Sequence, residues 1–417
     1  MKNAVFAFLF LWSGMAHAQL TLEECYSLAE QNYPLIKQRE LIVKSKEYSL
    51  QNLSKGYLPQ ATINGQATYQ SEVTQIPIHL PGVEIPTLSK DQYKIYGELN
   101  QSLFDGGMIR DQKQSQEVNA IIEEQKLDVE LYKLKERINQ LFFGVLLVDE
   151  QMKQIELLKN DIQLGLRKTE ALMNNGTAFK SSADILKAEL LKADQRTTEL
   201  DAMRKAYLDM LTLFINHPVG DGEAFVKPVA PTLSSEIDRP EIRLYNYQAQ
   251  NLEVQNKLLS ARNLPRLNLF VQGGYGRPAL NLLNNDLKTY YLGGLRLNWS
   301  LSGLYTTKKE RALLDVNRQN IEIQKETFLF NVNFALKQQN AEVTKYSQLL
   351  SSDDEIVELR THIKSTASVQ LENGVINAND YLREVSAEDQ ARQSKIVHEI
   401  QLLMAQYAQQ TTAGNSH

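Results

Sequence analysis

Six histidines, one cysteine and a few acidic clusters are the residues of this chain that could do chemistry. His17 falls in the first eighteen residues, and no two histidines stand in an H-x-x-x-H or H-E-x-x-H arrangement. Those spacings set two imidazoles on one helix face for a metal ion. Gly273-Gly274-Tyr275-Gly276 lies in a strand pattern, whereas a phosphate-binding loop needs a strand-to-helix turn. Asp353-Asp354-Glu355 sits on a long helical pattern, where a run of charge forms a solvated face. Cys25 stands alone, which excludes an internal disulfide and fits a small buried side chain. No nucleophile–base pair is in view, so the expectation is no enzyme, no metal and no cofactor.

The elements must therefore carry the function. Lys2, an apolar run from Ala4 to Trp12 and Ala16-His17-Ala18 make a secretory signal peptide over 1–18, cleaved before Gln19. No cysteine directly follows that site, Cys25 lying six residues further on, so an N-terminal lipid anchor is not expected. After it, no apolar stretch approaches the length of a membrane helix. A transmembrane β-barrel stays open, because its strands are short and half apolar. Without Lys2, 44 Lys and Arg stand against 50 Asp and Glu, a mature charge of −6. That balance argues against nucleic acid as a partner.

The chain is a tandem repeat of 19–215 and 239–410, joined by a linker over 216–238 rich in Pro, Gly and Ser. Pro34 and Pro59 correspond to Pro240 and Pro265, both 206 residues later. Gly176 corresponds to Gly374, 198 residues later, so one length change falls in the longer first loop.

Each repeat reads as helix, two strands, a very long helix, a turn and a returning helix. Thr21-x-x-Glu24 is a capping box for the first short helix. Pro34 and Pro240 suit first turns of helices. Strands are expected at about 58–70, 92–104, 265–276 and 289–301. In each, odd positions are apolar, as in Leu267, Leu269 and Val271 or Leu295, Leu297 and Trp299, while many even positions are polar. At about ten residues, such runs fit tilted membrane strands with lipid on one side and water on the other. An ordinary half-buried hairpin has the same period. The segment from Ser71 to Gln92, with Pro77, Pro81 and Pro86, reads as a surface loop long enough to be extracellular.

Strand-to-helix turns at Gly106-Gly107 and Gly303 open the long helices, 107–174 and 304–372. Seventy residues of helix extend roughly 105 Å at ~1.5 Å per residue. Ile138, Leu141, Val145 and Val148 show the three-four spacing of a coiled-coil seam. Asn175-Gly176 and Asn373-Gly374 end these helices at two hairpin tips. Returning helices over 183–215 and 380–410 start near Ser182-Ala183-Asp184 and Asn379-Asp380, good N-cap types. Residues 411–417 read as a disordered polar tail.

Four strands cannot stand alone in lipid, because each open edge leaves backbone groups unpaired at several kcal/mol apiece. Two copies would give eight strands and three would give twelve, and physics alone does not choose.

Taken in order, these residues resemble the TolC-like outer-membrane efflux protein family. The resemblance rests on Leu20-Thr21-Leu22-Glu23-Glu24, the paired Leu-Pro strand starts, Phe104-Asp105-Gly106-Gly107 and the two tips. It implies a membrane α+β fold of Gram-negative bacteria. Three chains would build a twelve-stranded barrel, four strands per chain, continuous with an α-helical coiled-coil barrel in the periplasm. It further implies an outer-membrane duct for tripartite efflux or type I secretion, docked at its tips to a periplasmic adaptor and an inner-membrane transporter. In that family an acidic residue after the second tip lines a constriction. Asp380 takes that place, so an acidic ring is expected, although capping alone would also explain an Asp there. Some members of the family carry a second acidic residue one turn on; here that position is Arg383, which points to altered selectivity or an Asp380–Arg383 pair. The alternative class is a secreted periplasmic coiled-coil scaffold or adaptor without a pore; it leaves the apolar strand faces unexplained.

Overall fold

The computed structural model describes residues 19–74, 82, 88–220, 222–232 and 236–415. The signal-peptide reading and most of the first loop, including Pro77, Pro81 and Pro86, lie outside the described residues. The chain divides into two units. The first holds Met1–Ile36, Leu127–Pro240 and Thr327–His417; the second holds Lys37–Lys126 and Glu241–Glu326.

The second unit carries the sheet. Its strands are β2 (Gln60–Tyr69), β3 (Asp91–Phe104), β5 (Arg266–Arg277) and β6 (Lys288–Asn298), antiparallel in the order β2-β3-β5-β6. Thr62 pairs with Glu98, Glu98 with Gln272 and Gln272 with Leu292, so even positions share one face across all four strands. The register shifts once, between Ser102 and Phe104. β6 stops at Asn298, and Trp299 leaves the ladder to donate its indole N–H to the Asn263 carbonyl at 3.0 Å. Helix α2 (Lys37–Ser54) precedes β2, and α6 (Pro240–Arg262) precedes β5. The helical part of this unit packs Val118 and Ile122 against Val254.

The first unit is helical. It contains α1 (Leu22–Asn32), α4 (Leu134–Asn174), α5 (Lys180–Ile215) and α8 (Ala378–Ala413). Helices α3 (Met108–Tyr132) and α7 (Gly303–Glu372) contribute residues to both units. The single helix expected over 107–174 is interrupted at Lys133, whose backbone itself stays helical (φ −63°, ψ −19°). The Thr21–Glu24 capping box opens α1. Pro34 starts a short 3-10 turn, Pro34–Ile36, and Pro240 is the first residue of α6.

Apolar stripes of α4, α5, α7 and α8 interlock around Ile162, Leu186, Leu371, Tyr381 and Val385. A second layer joins Val148 and Ile155 to Ala193 and Leu200. Phe142 meets Phe225 edge-on at 5.2 Å between ring centroids. Phe225 belongs to β4 (Ala224–Phe225), which pairs in parallel with β1 (Gln19–Leu20). The linker is thus partly a strand.

The C-terminal segment is a correction to the expected disordered tail. α8 runs to Ala413, and Gly414 closes it at φ +88°. Tyr132 donates its hydroxyl to the Thr411 carbonyl at 2.7 Å, Gln339 donates to Thr412 at 2.8 Å, and the Asp238 amide donates to Ala413 at 2.8 Å. Polar composition here served tertiary hydrogen bonds rather than solvent. Ser416 and His417 lie outside the described residues.

Candidate functional site

Two features hold the sequence-derived site residues, and each belongs to one unit. The first is the sheet. Its odd face is apolar and bare in the single chain: Ile63 is 83%, Tyr291 84% and Leu297 67% exposed. Among the described residues, β2 and β6 each pair with one strand only, so both sheet edges are open. The even face is more sheltered and polar. Glu98 accepts from Arg296 at 2.8 Å and from the Gln272 amide, and the Arg296 guanidinium lies 4.3 Å from the Phe270 ring centroid.

Glycine makes the turns that connect this sheet to helix. Gly106 and Gly107 both take positive φ, +73° and +82°. A side chain at Gly106 would press on Leu264 and on the Ala261 carbonyl. Asp105 fixes the turn, accepting from the Gly107 and Ile109 amides at 2.8 Å each. The second turn works differently. Gly303 is the first residue of α7, and the Asn263 side chain occupies the space a Cβ would need.

The second feature is the pair of helical tips in the other unit. Asn175 caps α4, and Gly176 follows at φ +76°. The Gly176 amide donates to Met173 at 2.9 Å and the Thr177 amide to Leu172 at 2.9 Å. Gly374 repeats this at φ +70°, donating to Leu371 at 3.0 Å, while Val375 donates to Gln370 at 2.8 Å. These bonds satisfy the last carbonyls of each helix. Both tips present an exposed apolar side chain that sequence reasoning passed over, Phe179 (81% exposed) and Val375 (70%). The only sequence signal is their position within three residues of a tip glycine.

The returning helices begin earlier than expected. α5 starts at Lys180 with Phe179 as its N-cap residue. α8 starts at Ala378, and its cap is Asn377, whose side-chain oxygen accepts from the Asn379 and Asp380 amides at 2.9 and 3.0 Å. Asp380 therefore sits in the first helical turn and does not cap. Asp380 and Arg383 line one recess of about 430 Å³ with His362, Gln370, Ile376 and Glu384. The suggested Asp380–Arg383 pair is absent among the described residues. Arg383 donates to Glu384 at 3.1 Å, and Arg360 approaches the same carboxylate at 3.5 Å. The adjacent carboxylate, held from the other side by Arg360, wins the guanidinium.

Behind the tips lies a charged cluster that sequence reasoning missed. Lys364 reaches Asp161 at 2.7 Å and Glu388 at 3.4 Å, and Arg392 and Thr361 also bond to buried Glu388. Five residues from three helices, α4, α7 and α8, meet there, which no local spacing announces.

Among the described residues, no group of three or more His, Cys, Asp or Glu could hold a metal ion, and no helix is long and apolar enough to cross a membrane. In sequence, no family model and no curated protein matches the chain. In structure, the chain is similar to CusC, a protein described for its transmembrane channel formation (TM-score 0.70, 12% identity, 95% of this chain and 92% of that one). It is similar to the CmeC outer membrane channel of Campylobacter jejuni (TM-score 0.65, 14% identity, 99% and 93%). It is also similar to the outer membrane protein VceC of Vibrio cholerae (TM-score 0.66, 11% identity, 94% and 96%). These likenesses run over nearly the whole length of both partners, and the chain has the fold of the TolC-like outer-membrane channels.

Proposed function

We propose that this chain is one subunit of an outer-membrane exit duct, serving tripartite efflux or type I secretion. The observation that carries the reading is the sheet: four strands with an exposed apolar face and two open edges. In lipid, unpaired edges cost several kcal/mol per backbone group, so the sheet closes by pairing β6 of one copy with β2 of the next. Three copies give twelve strands, an even number as in single-chain outer-membrane barrels. The odd face then meets lipid and the even face lines water. The helical unit provides the periplasmic tunnel. Its tips, at Asn175-Gly176 and Asn373-Gly374, meet a periplasmic adaptor and through it an inner-membrane transporter. Phe179 and Val375 supply apolar anchors there. Asp380 of each subunit faces the constriction.

The test is the native mass of protein extracted in detergent from a washed outer-membrane fraction. A particle of three polypeptides that resists dissociation is expected. A soluble periplasmic monomer would overturn the reading and leave the scaffold alternative.

A further inference from the structure

The even face of the sheet is basic, although the chain as a whole carries a formal charge of −5. Register places Lys94, Arg266, Lys288 and Arg296 on that face, against one acid, Glu98. Two of the four cations are matched. Arg296 is paired with Glu98 at 2.8 Å, and Lys288 lies 3.7 Å from Asp286. Lys94 and Arg266 have no ion-pair partner among the described residues.

Arg266 also borders a recess of about 460 Å³ whose lining includes Asn298, Ser300, Ser302, Arg262 and one acid, Glu310. Glu310 is taken up by Arg262 at 2.5 Å, which leaves Arg266 as the cation of that recess without an ion-pair partner among the described residues. Its neighbours offer hydroxyl and amide donors, the groups that accompany a guanidinium in holding an anion.

We propose that the even face is an anion-favouring lining, with Lys94 and Arg266 as its selectivity-determining residues and small anions as the solutes it admits. The proposal rests on the exit-duct reading. Threefold repetition turns two free cations per chain into two rings of three. Charge rings of one sign in a narrow passage with low-dielectric walls concentrate counter-ions and exclude co-ions. Salt screens this over ~10 Å at 0.1 M, so the effect is largest in dilute electrolyte.

The experiment uses the full-length protein in planar lipid bilayers under a potassium chloride gradient, with Asp380→Ala as the parent so that the tip carries no acidic ring. The reversal potential of the parent is expected to show chloride passing several-fold more readily than potassium. Lys94→Gln combined with Arg266→Gln should abolish that preference, and each single change should remove part of it. Detergent-particle mass verifies that the variants assemble like the parent. A conducting parent that is unselective or prefers potassium overturns the proposal, as does an unchanged preference in the assembled double variant; either leaves the duct intact. Failure of every protein, wild type included, to conduct would instead overturn the duct reading and this proposal with it.

Discussion

The ring of Tyr381, in the first turn of α8, lies directly against the α-carbon of Gly165 on α4, with no space left for a Cβ. The Tyr381 hydroxyl donates to the Asp161 carbonyl at 3.0 Å, one turn earlier on α4. Gly165→Ala would raise helix propensity by ~0.5–1 kcal/mol yet push the ring off its seat. Overpacking costs about 1–3 kcal/mol, so the net expectation is destabilisation. Tyr381→Phe keeps the ring and loses one hydrogen bond, about 1 kcal/mol. Thermal midpoints by circular dichroism should rank wild type above Tyr381→Phe above Gly165→Ala. A Gly165→Ala protein as stable as wild type would show that the two helices have room to spare.

The same tyrosine makes a pH prediction. Burial, and then the Asp161 carboxylate, push its hydroxyl up to about 12 from the ordinary 10.0. The folded protein keeps a proton that the unfolded chain releases near pH 10. This contribution is therefore complete below about pH 10 and is lost as pH rises through about 12. Tyr407 is raised as well, so alkaline unfolding is shared between sites. The decisive comparison is with Tyr381→Phe, whose stability should fall less steeply between pH 10 and 12. Parallel curves would mean that Tyr381 ionises freely in the folded state.

Cys25 is fully buried on α1, and burial together with Glu24, Glu223 and Glu23 pushes its thiol up to about 12. Only the thiolate reacts. Ellman's reagent at pH 8 should leave the native protein unlabelled and label one thiol per chain in guanidinium. Fast labelling of the native protein would show that α1 leaves its seat.

On the proposed acidic ring, Asp380→Ala should increase single-channel conductance at low voltage and lower the passage of cations relative to anions. Asp380 and Arg383 line one recess, but Glu384 already engages the Arg383 guanidinium. Arg383→Ala should therefore change ion preference less than Asp380→Ala. Equal currents through wild type and Asp380→Ala would remove the residue from the constriction.

Local periodicity made most of the architecture legible. A period of two with apolar odd positions gave four strands, and the observed registers keep those positions on one face. Gly176 and Gly374 were readable as tips because a left-handed residue ending a helix is a local requirement. Less of the site was readable. The place of Asp380 after the second tip was an expectation from the family resemblance, and that Asn377 caps α8 and that Glu384 takes Arg383 depended on side-chain choices among close neighbours. The β1–β4 pair was invisible, because two-residue strands carry no period.

The sequence by itself determined the duplicated element order, the apolar and polar faces of the strands and the glycine turns, since each arises within a few residues of chain. Only the tertiary structure decided the rest. It seated Tyr381 on Gly165, gathered Lys364, Asp161 and Glu388 from three helices, and tied the polar C-terminus to Tyr132, Gln339 and Asp238. Those contacts join residues far apart in the chain. Their energies come from close packing and desolvation, which no local pattern encodes.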